Sequence, residues 1–220
     1  MKNCDAQDNR TTGRILVIAW AAALAVGLTV LIPLGARAKE VTPPAVPANI
    51  RVPAGNNAFL DDHAVGTQNY ICLPCPNPLT PAAMCPASAF AFALFTPQAT
   101  LFGDNDKQVI AHFFSPNPFE SGKIRATWQD SHDTSIVWAK VNASSSDSAF
   151  VVPGAIPWLL LEVVGAQDRT HGDRDTLTPT TFIQRLNTSG GVAPSTCNSS
   201  SDVGKEAFVP YKADYFFFKK

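Results

Sequence analysis

Residues 89–114 read AFAFALFTPQATLFGDNDKQVIAHFF. Up to Phe95, small and large residues alternate. That is the period of a strand, and it puts the phenylalanines on one face. Residues 100–102 and 108–114 are two more apolar runs, and Gly103-Asp104-Asn105-Asp106-Lys107 between them has the composition of a hairpin turn. The same grammar repeats in both directions. Short apolar or alternating runs occur at 50–52, 58–63, 67–73, 123–129, 135–141, 150–152, 158–164, 180–186 and 207–218. Asp130-Ser131-His132-Asp133-Thr134 reads as a second hairpin turn. About eleven short strands at near-regular spacing predict an all-β fold, an antiparallel β-sandwich or barrel.

Two of these runs carry more detail. Residues 158–164, WLLLEVV, are almost continuously apolar and predict a strand buried on both faces. The ending Tyr215-Phe216-Phe217-Phe218 places aromatics on both faces, so it predicts a central or covered strand. No helical periodicity follows residue 38. The 18 prolines and 13 glycines among 220 residues oppose long helices. With 45% hydrophobic and 16% charged residues, wholesale disorder is excluded. A formal charge of −1 excludes the basic stripe of a nucleic-acid binder.

The N-terminus has the layout of an export signal. Lys2, Arg10 and Arg14 precede an uncharged run at 15–34, and Ala36-Arg37-Ala38 forms an A-x-A cleavage site. This predicts a signal peptide at 1–38, a Pro-rich leader at 39–49, and a single all-β domain at 50–220. The protein is then exported, periplasmic or extracellular, and touches the membrane only transiently. An uncleaved anchor is the alternative, because the apolar run is long enough to span a bilayer.

Beyond the signal stand Cys72, Cys75, Cys85 and Cys197. An even count in an exported chain reads as two disulfides, with three connectivities open. Cys75 and Cys85 bracket a short Pro-rich loop and are the cheap local choice, which leaves Cys72 to Cys197. Zinc ligation or a redox pair at Cys72-x-x-Cys75 is the alternative. Neither a second C-x-x-C nor a nearby His completes a zinc site, and no βαβ pattern surrounds the pair.

Four stretches carry a resemblance. They are HAVGTQNYIC at 63–72, IPWLLL at 156–161, FIQRLNTSGGVAP at 182–194 and VPYKADYFF at 209–217. In this order they resemble a family of exported bacterial and fungal proteins catalogued only as a domain of unknown function. The resemblance spans roughly residues 48–218 and implies no activity. In that family one cysteine follows the GTQ-x-Y stretch and another follows GGVAP, which supports pairing Cys72 with Cys197; Cys75–Cys85 is an addition. The pairing in turn leads one to expect the strands at 67–73 and 180–186 side by side. Some fungal relatives carry a dehydrogenase label. Here no G-x-G-x-x-G follows a strand, and no βαβ alternation exists.

Candidate chemistry is sparse. His63, His112, Trp128, Asp130 and Arg185 are the residues that a shared cleft would use, either to bind a ligand or as a hydrolase or metal-dependent site. Each has a plainer reading, as a structural or surface histidine, a buried Trp or a polar turn. No metal site and no cofactor is called for. The charge cluster at 168–175 does not match a calcium loop and reads as a solvated hairpin. Gly190-Gly191 reads as a turn rather than an anion nest. No G-x-S-x-G elbow marks a catalytic serine. The expectation is a non-enzymatic binding or cell-surface protein with a glycan, cell-envelope or small-molecule partner. A secreted enzyme and a subunit of a surface assembly are the alternatives, and nothing in the sequence sets an oligomeric state.

Overall fold

The computed structural model describes residues 41–168 and 176–220. The expected signal peptide at 1–38 and all but the first residue of the charge cluster at 168–175 lie outside them. Eight strands follow one another: β1 (Asn57–Pro74), β2 (Phe90–Phe102), β3 (Gln108–Asn117), β4 (Lys123–Asp130), β5 (Ile136–Ser145), β6 (Trp158–Gln167), β7 (Phe182–Gly190) and β8 (Glu206–Lys219). Each pairs antiparallel with the next, and β8 returns to β1 from Ile71↔Glu206 to Asn57↔Lys219. The result is a closed up-and-down barrel.

Of the two architectures expected, the fold is the barrel, and the strand count is corrected: the barrel has eight strands among the described residues rather than about eleven. The runs at 58–63 and 67–73 are one 18-residue strand, β1. Those at 89–95 and 100–102 are one 13-residue strand, β2. Closing a sheet on itself requires tilted strands, and tilted strands run long. Gly66 and Pro97, which lie between those runs, both sit inside the ladder, where Gly66 pairs with Ala99 and Gln68 with Pro97. A Cβ on Gly66 would lie 2.1 Å from the carbonyl oxygen of Gln98, so only glycine permits this approach of β1 to β2. Residues 50–52 and 150–152 are not strands; Ile50 ends a short 3₁₀ turn, Ala48–Ile50.

Alternate residues of each strand face the barrel interior. Ala64, Leu101, Ile110, Trp128, Val137, Leu161, Ile183, Tyr215 and Phe217 form its core. Leu177, from the β6–β7 connection, joins them and is fully buried. A second cluster lies on the outer wall, where Trp158, Leu160, Leu186, Phe216 and Phe218 are covered by Ile50 and Val151, with Val41 and Val46 against them. This explains the two doubly apolar runs: Leu161 and Phe217 belong to the inner cluster, and Leu160 and Phe216 to the outer one. The segment before β1 is further held by Gln184 Nε2, which donates to the Ile50 carbonyl at 2.7 Å, and by Asn49 Nδ2, which donates to the Ser144 carbonyl at 2.7 Å.

Cys72 is bonded to Cys197 and Cys75 to Cys85, each pair with Cα atoms 5.6 Å apart. Two disulfides in one chain belong to an oxidising environment outside the cytosol. The strand adjacency drawn from the first pair does not hold. β8 lies between β1 and β7. Cys197 reaches Cys72 because the 191–205 connection loops back to the end of β1, where Cys72 N–H donates to the Lys205 carbonyl at 2.8 Å and Gly204 N–H donates to the Cys72 carbonyl at 2.9 Å.

On β1, five pairs before Thr67 on the way to the opposite end, Asp62 is 2% exposed and its Oδ2 has no hydrogen-bond partner. Burial, then the charges of Asp61 and Asp130, push its pKa up to about 6. A carboxyl whose folded pKa is raised opposes folding once ionised, and that penalty fades as pH falls from about 6 toward 3.8. Asp62→Asn is therefore expected to stabilise the protein by about 2 kcal/mol at pH 7.5 and by almost nothing at pH 4. Urea unfolding of both proteins at the two pH values checks this. A destabilised variant at pH 7.5 would refute it.

Candidate ligand-binding cavity

An eight-stranded barrel is wide enough to be filled by side chains or to hold one small ligand. This one does both. Below the level of Trp128 the interior is packed. Above it lies a cavity of about 350 Å³, toward the end that carries the connections 75–89, 118–122, 146–157 and 191–205.

His112 and Trp128 form its floor. They are direct partners across β3 and β4, so they face the same side, and their rings stack 4.2 Å apart with 14° between planes. Tyr215 on β8 meets both edgewise or tilted, at 5.3 and 5.6 Å. His112 Nδ1 lies 2.9 Å from the Thr127 carbonyl oxygen, which only accepts, so Nδ1 carries the proton. Burial pulls the His112 pKa down to about 3. The ring is neutral, and its Nε2 is a lone-pair acceptor. Leu94, Phe114, Ile156, Leu159 and Leu161 line the walls. Tyr70 adds a wall whose hydroxyl donates to the Gly191 carbonyl at 2.6 Å. Burial raises the pKa of Tyr70, Tyr211 and Tyr215, so all three are neutral phenols.

The polar lining differs from the walls. Arg185 on β7 donates through Nη2 to the Pro157 carbonyl at 2.9 Å, while its Nε has no partner. Gln68 Nε2 and Trp128 Nε1 are likewise buried without a partner. The charge of Arg185 acts on His112, Tyr70, Tyr211 and Tyr215, lowering the pKa of each.

The wall has a gap. Pairing of β4 with β5 runs only from Gln129↔Ile136 to Ala126↔Ala139. Yet β4 begins at Lys123 and β5 continues to Ser145. Ile124 and Val141, which line the cavity on either side of this opening, are each 56% exposed. The rim is braced beside the opening, at the β3–β4 connection. Asn117 is fully buried and donates to Glu120 at 2.8 Å, and Glu120 accepts from Arg125 Nε at 2.7 Å. On the β5 side of the gap, Lys140 is paired with Glu162 of β6 at 3.2 Å.

The sequence pattern of DUF3455, described as a protein of unknown function, matches residues 53–219. The chain belongs to the DUF3455 family. No curated protein and no solved structure matches it. The four stretches that carried the family resemblance all reach the cavity in this DUF3455 chain. They supply Gln68 and Tyr70, then Ile156, Pro157, Leu159 and Leu161, then Arg185, and finally Tyr215.

Of the five candidate residues, the structure brings His112, Trp128 and Arg185 to the one cavity. His63 stands apart, exposed on the outer wall opposite Asp214. Its Nδ1 is 2.6 Å from Asp214 Oδ1, and that bond raises its pKa. Asp130 is buried at the far end of β4, where its Oδ1 accepts from the backbone N–H of His132 at 2.7 Å and of Asp133 at 3.0 Å. It organises a turn. Trp128 is 1% exposed, so it forms no surface platform with that turn. Gln68, Tyr70 and Tyr215 were not singled out. The strand period alone would have placed Gln68 and Tyr70 on the face of Ala64, but which face is inward emerges only once the barrel closes.

Proposed function

We propose that the protein is an exported, non-enzymatic binding protein whose barrel holds a small, mostly apolar molecule. The observation that carries this reading is the cavity itself, with an aromatic floor, apolar walls and three buried N–H groups lacking acceptors. Buried polar groups are normally satisfied, so an unsatisfied set on residues that line a cavity marks a place for a ligand. The exposed Ile124 and Val141 at the gap give an apolar molecule a route in. An interior site favours a small molecule over a glycan or envelope polymer as partner. The enzyme alternative needed His63 and His112 in one cleft, and the barrel wall separates them. The assembly alternative rested on the aromatic tail and the Pro-rich leader, and the tail is taken up as β8, paired on one side with β1 and on the other with β7.

A neutral apolar dye, N-phenyl-1-naphthylamine, tests this. The protein is expected to bind it saturably at one site. Ala126 lines the cavity beside the gap, and Ala126→Trp is expected to weaken binding at least about tenfold, roughly 1.4 kcal/mol, while circular dichroism stays unchanged. Equal binding by a folded Ala126→Trp protein, or no binding by the wild type, would overturn the proposal.

A further inference from the structure

The polar groups of the cavity are unbalanced in a way that identifies one end of its ligand. Gln68, Trp128 and Arg185 line it, and their Nε2, Nε1 and Nε atoms are buried and have no hydrogen-bond partner. All three are N–H donors. Gln68 and Trp128 are 2% and 1% exposed, so bulk water does not serve them. Among the described residues that line the cavity there is no aspartate or glutamate. The other two cations at its edge are already engaged, Arg125 by Glu120 and Lys140 by Glu162. Among the described residues Arg185 has no carboxylate partner. Its Nη2 donates to the Pro157 carbonyl and its side chain interacts with the Tyr215 hydroxyl, while its Nε has no partner.

A half-buried guanidinium without a counter-ion is costly, and donors without acceptors add to that cost. One anionic acceptor group offsets both, and hydrogen bonds from a guanidinium to an anion are among the strong ones. A single guanidinium matches a single negative charge, which favours a carboxylate over a phosphate dianion. The remaining lining is hydrocarbon or aromatic, from Leu94, Phe114 and Leu159 to Ile124 and Val141 at the gap. At about 350 Å³ the space lies at the lower end of small-molecule sites, which run from roughly 300 to 1,000 Å³.

We propose that the ligand is an amphipathic monocarboxylate. Its carboxylate is held by Arg185 with help from Gln68 and Trp128, and its hydrocarbon or aromatic body lies between the His112–Trp128 floor and the β4–β5 gap. This rests on the binding reading above and names the ligand class of that same cavity.

Three probes with one body and different heads test it: 4-phenylbutanoate, 4-phenylbutanamide and 4-phenylbutylamine, titrated calorimetrically into the full oxidised protein. The acid is expected to bind at least about tenfold tighter than the amide, and the amine more weakly than either. Arg185→Met is expected to abolish the preference for acid over amide while leaving amide affinity within a fewfold of wild type. Should Arg185→Met fail to fold, the wild-type series still decides, and Gln68→Leu is expected to narrow the acid–amide ratio. Equal affinity for acid and amide in the wild type, or a preference that survives in folded Arg185→Met, overturns the proposal. If the neutral dye binds but the acid shows no preference, the carboxylate inference falls and the binding reading stands. If neither the dye nor any of the three probes binds, the binding reading falls and takes this one with it.

Discussion

Replacing Cys72 and Cys197 together by alanine is expected to lower the free energy of unfolding by about 2–5 kcal/mol, the larger of the two disulfide losses. The bridge closes 125 residues, whereas Cys75–Cys85 closes 10. On the chain-entropy account, the long loop restricts the unfolded chain by about 5 kcal/mol and the short one by about 3. Burial points the same way. Cys72 is fully buried and Cys197 nearly so, while the second pair sits in the 75–89 connection with Cys85 only half-buried. The bridge also fastens the 191–205 connection to the end of β1, and that connection carries Gly191, whose carbonyl accepts from Tyr70 in the cavity wall. Loss of the bridge is thus expected to loosen the cavity as well as the fold, and dye binding should weaken along with stability. Guanidinium unfolding midpoints of the oxidised wild type and of the two double-alanine proteins decide the ranking. A larger loss from the Cys75–Cys85 pair would mean that the long bridge joins parts already held by the barrel.

Why the sequence showed strands but miscounted them has a definite cause. Several ladders carry register shifts. In β2, Tyr70 pairs with Leu94 and Asn69 with Thr96, so Phe95 is an extra residue. In β6 the same happens at Val164, between Gly165, paired with Trp138, and Val163, paired with Ala139. Each bulge switches which parity faces inward: Leu94 and then Pro97 line the cavity on β2, and Val163 and then Ala166 pack in the core on β6. A reader of alternation meets a broken period and ends the strand. Glycine and proline compound this, because Gly66 and Pro97 serve close approach and an interrupted ladder rather than turns. Pairing of β2 with β3 reaches only from Phe102 to Ala99, so Pro97 costs that ladder nothing.

The site was legible to the extent that it is local. His112 and Trp128 are 16 positions apart on strands joined by the short connection at 118–122. Both strands were read from the sequence, so their pairing follows from the hairpin. Arg185 and Gln68 meet the same cavity only because β8 closes the sheet on β1, a contact between the two ends of the chain that no local pattern encodes. His63 and Asp130 were chosen by residue type, and type alone distinguishes neither the inner from the outer wall nor one end of the barrel from the other. His63 lies one residue from inward-facing Ala64, and a strand's period of two sends it to the outside.

Acidification from pH 7 to pH 4 is expected to cost the wild type about 3 kcal/mol through His112 alone, a cost that His112→Phe removes. The sign follows from the depressed folded pKa. In the unfolded chain the ring takes up a proton below pH 6.5, while in the barrel it stays neutral down to about 3. Between those values the unfolded state binds more protons, so stability falls as pH falls. At pH 4 the gap spans about 2.5 units, each near 1.4 kcal/mol. Phenylalanine keeps the ring stack on Trp128 but leaves the Thr127 carbonyl unpaired, which lowers stability at every pH by roughly 1–3 kcal/mol. The informative quantity is therefore the difference between wild type and variant at pH 7 minus the same difference at pH 4. It cancels the baseline loss, and it cancels Asp62, which shifts stability in the opposite direction over the same window. The two groups conceal one another in the wild-type profile: His112 loses stability on acidification while Asp62 recovers it. Asp62→Asn should accordingly make the wild-type background more acid-sensitive, and His112→Phe should make it less so. Equal losses in wild type and His112→Phe would show that the ring takes up its proton inside the barrel. The cavity floor would then carry a second positive charge beside Arg185 instead of the neutral acceptor assigned to it.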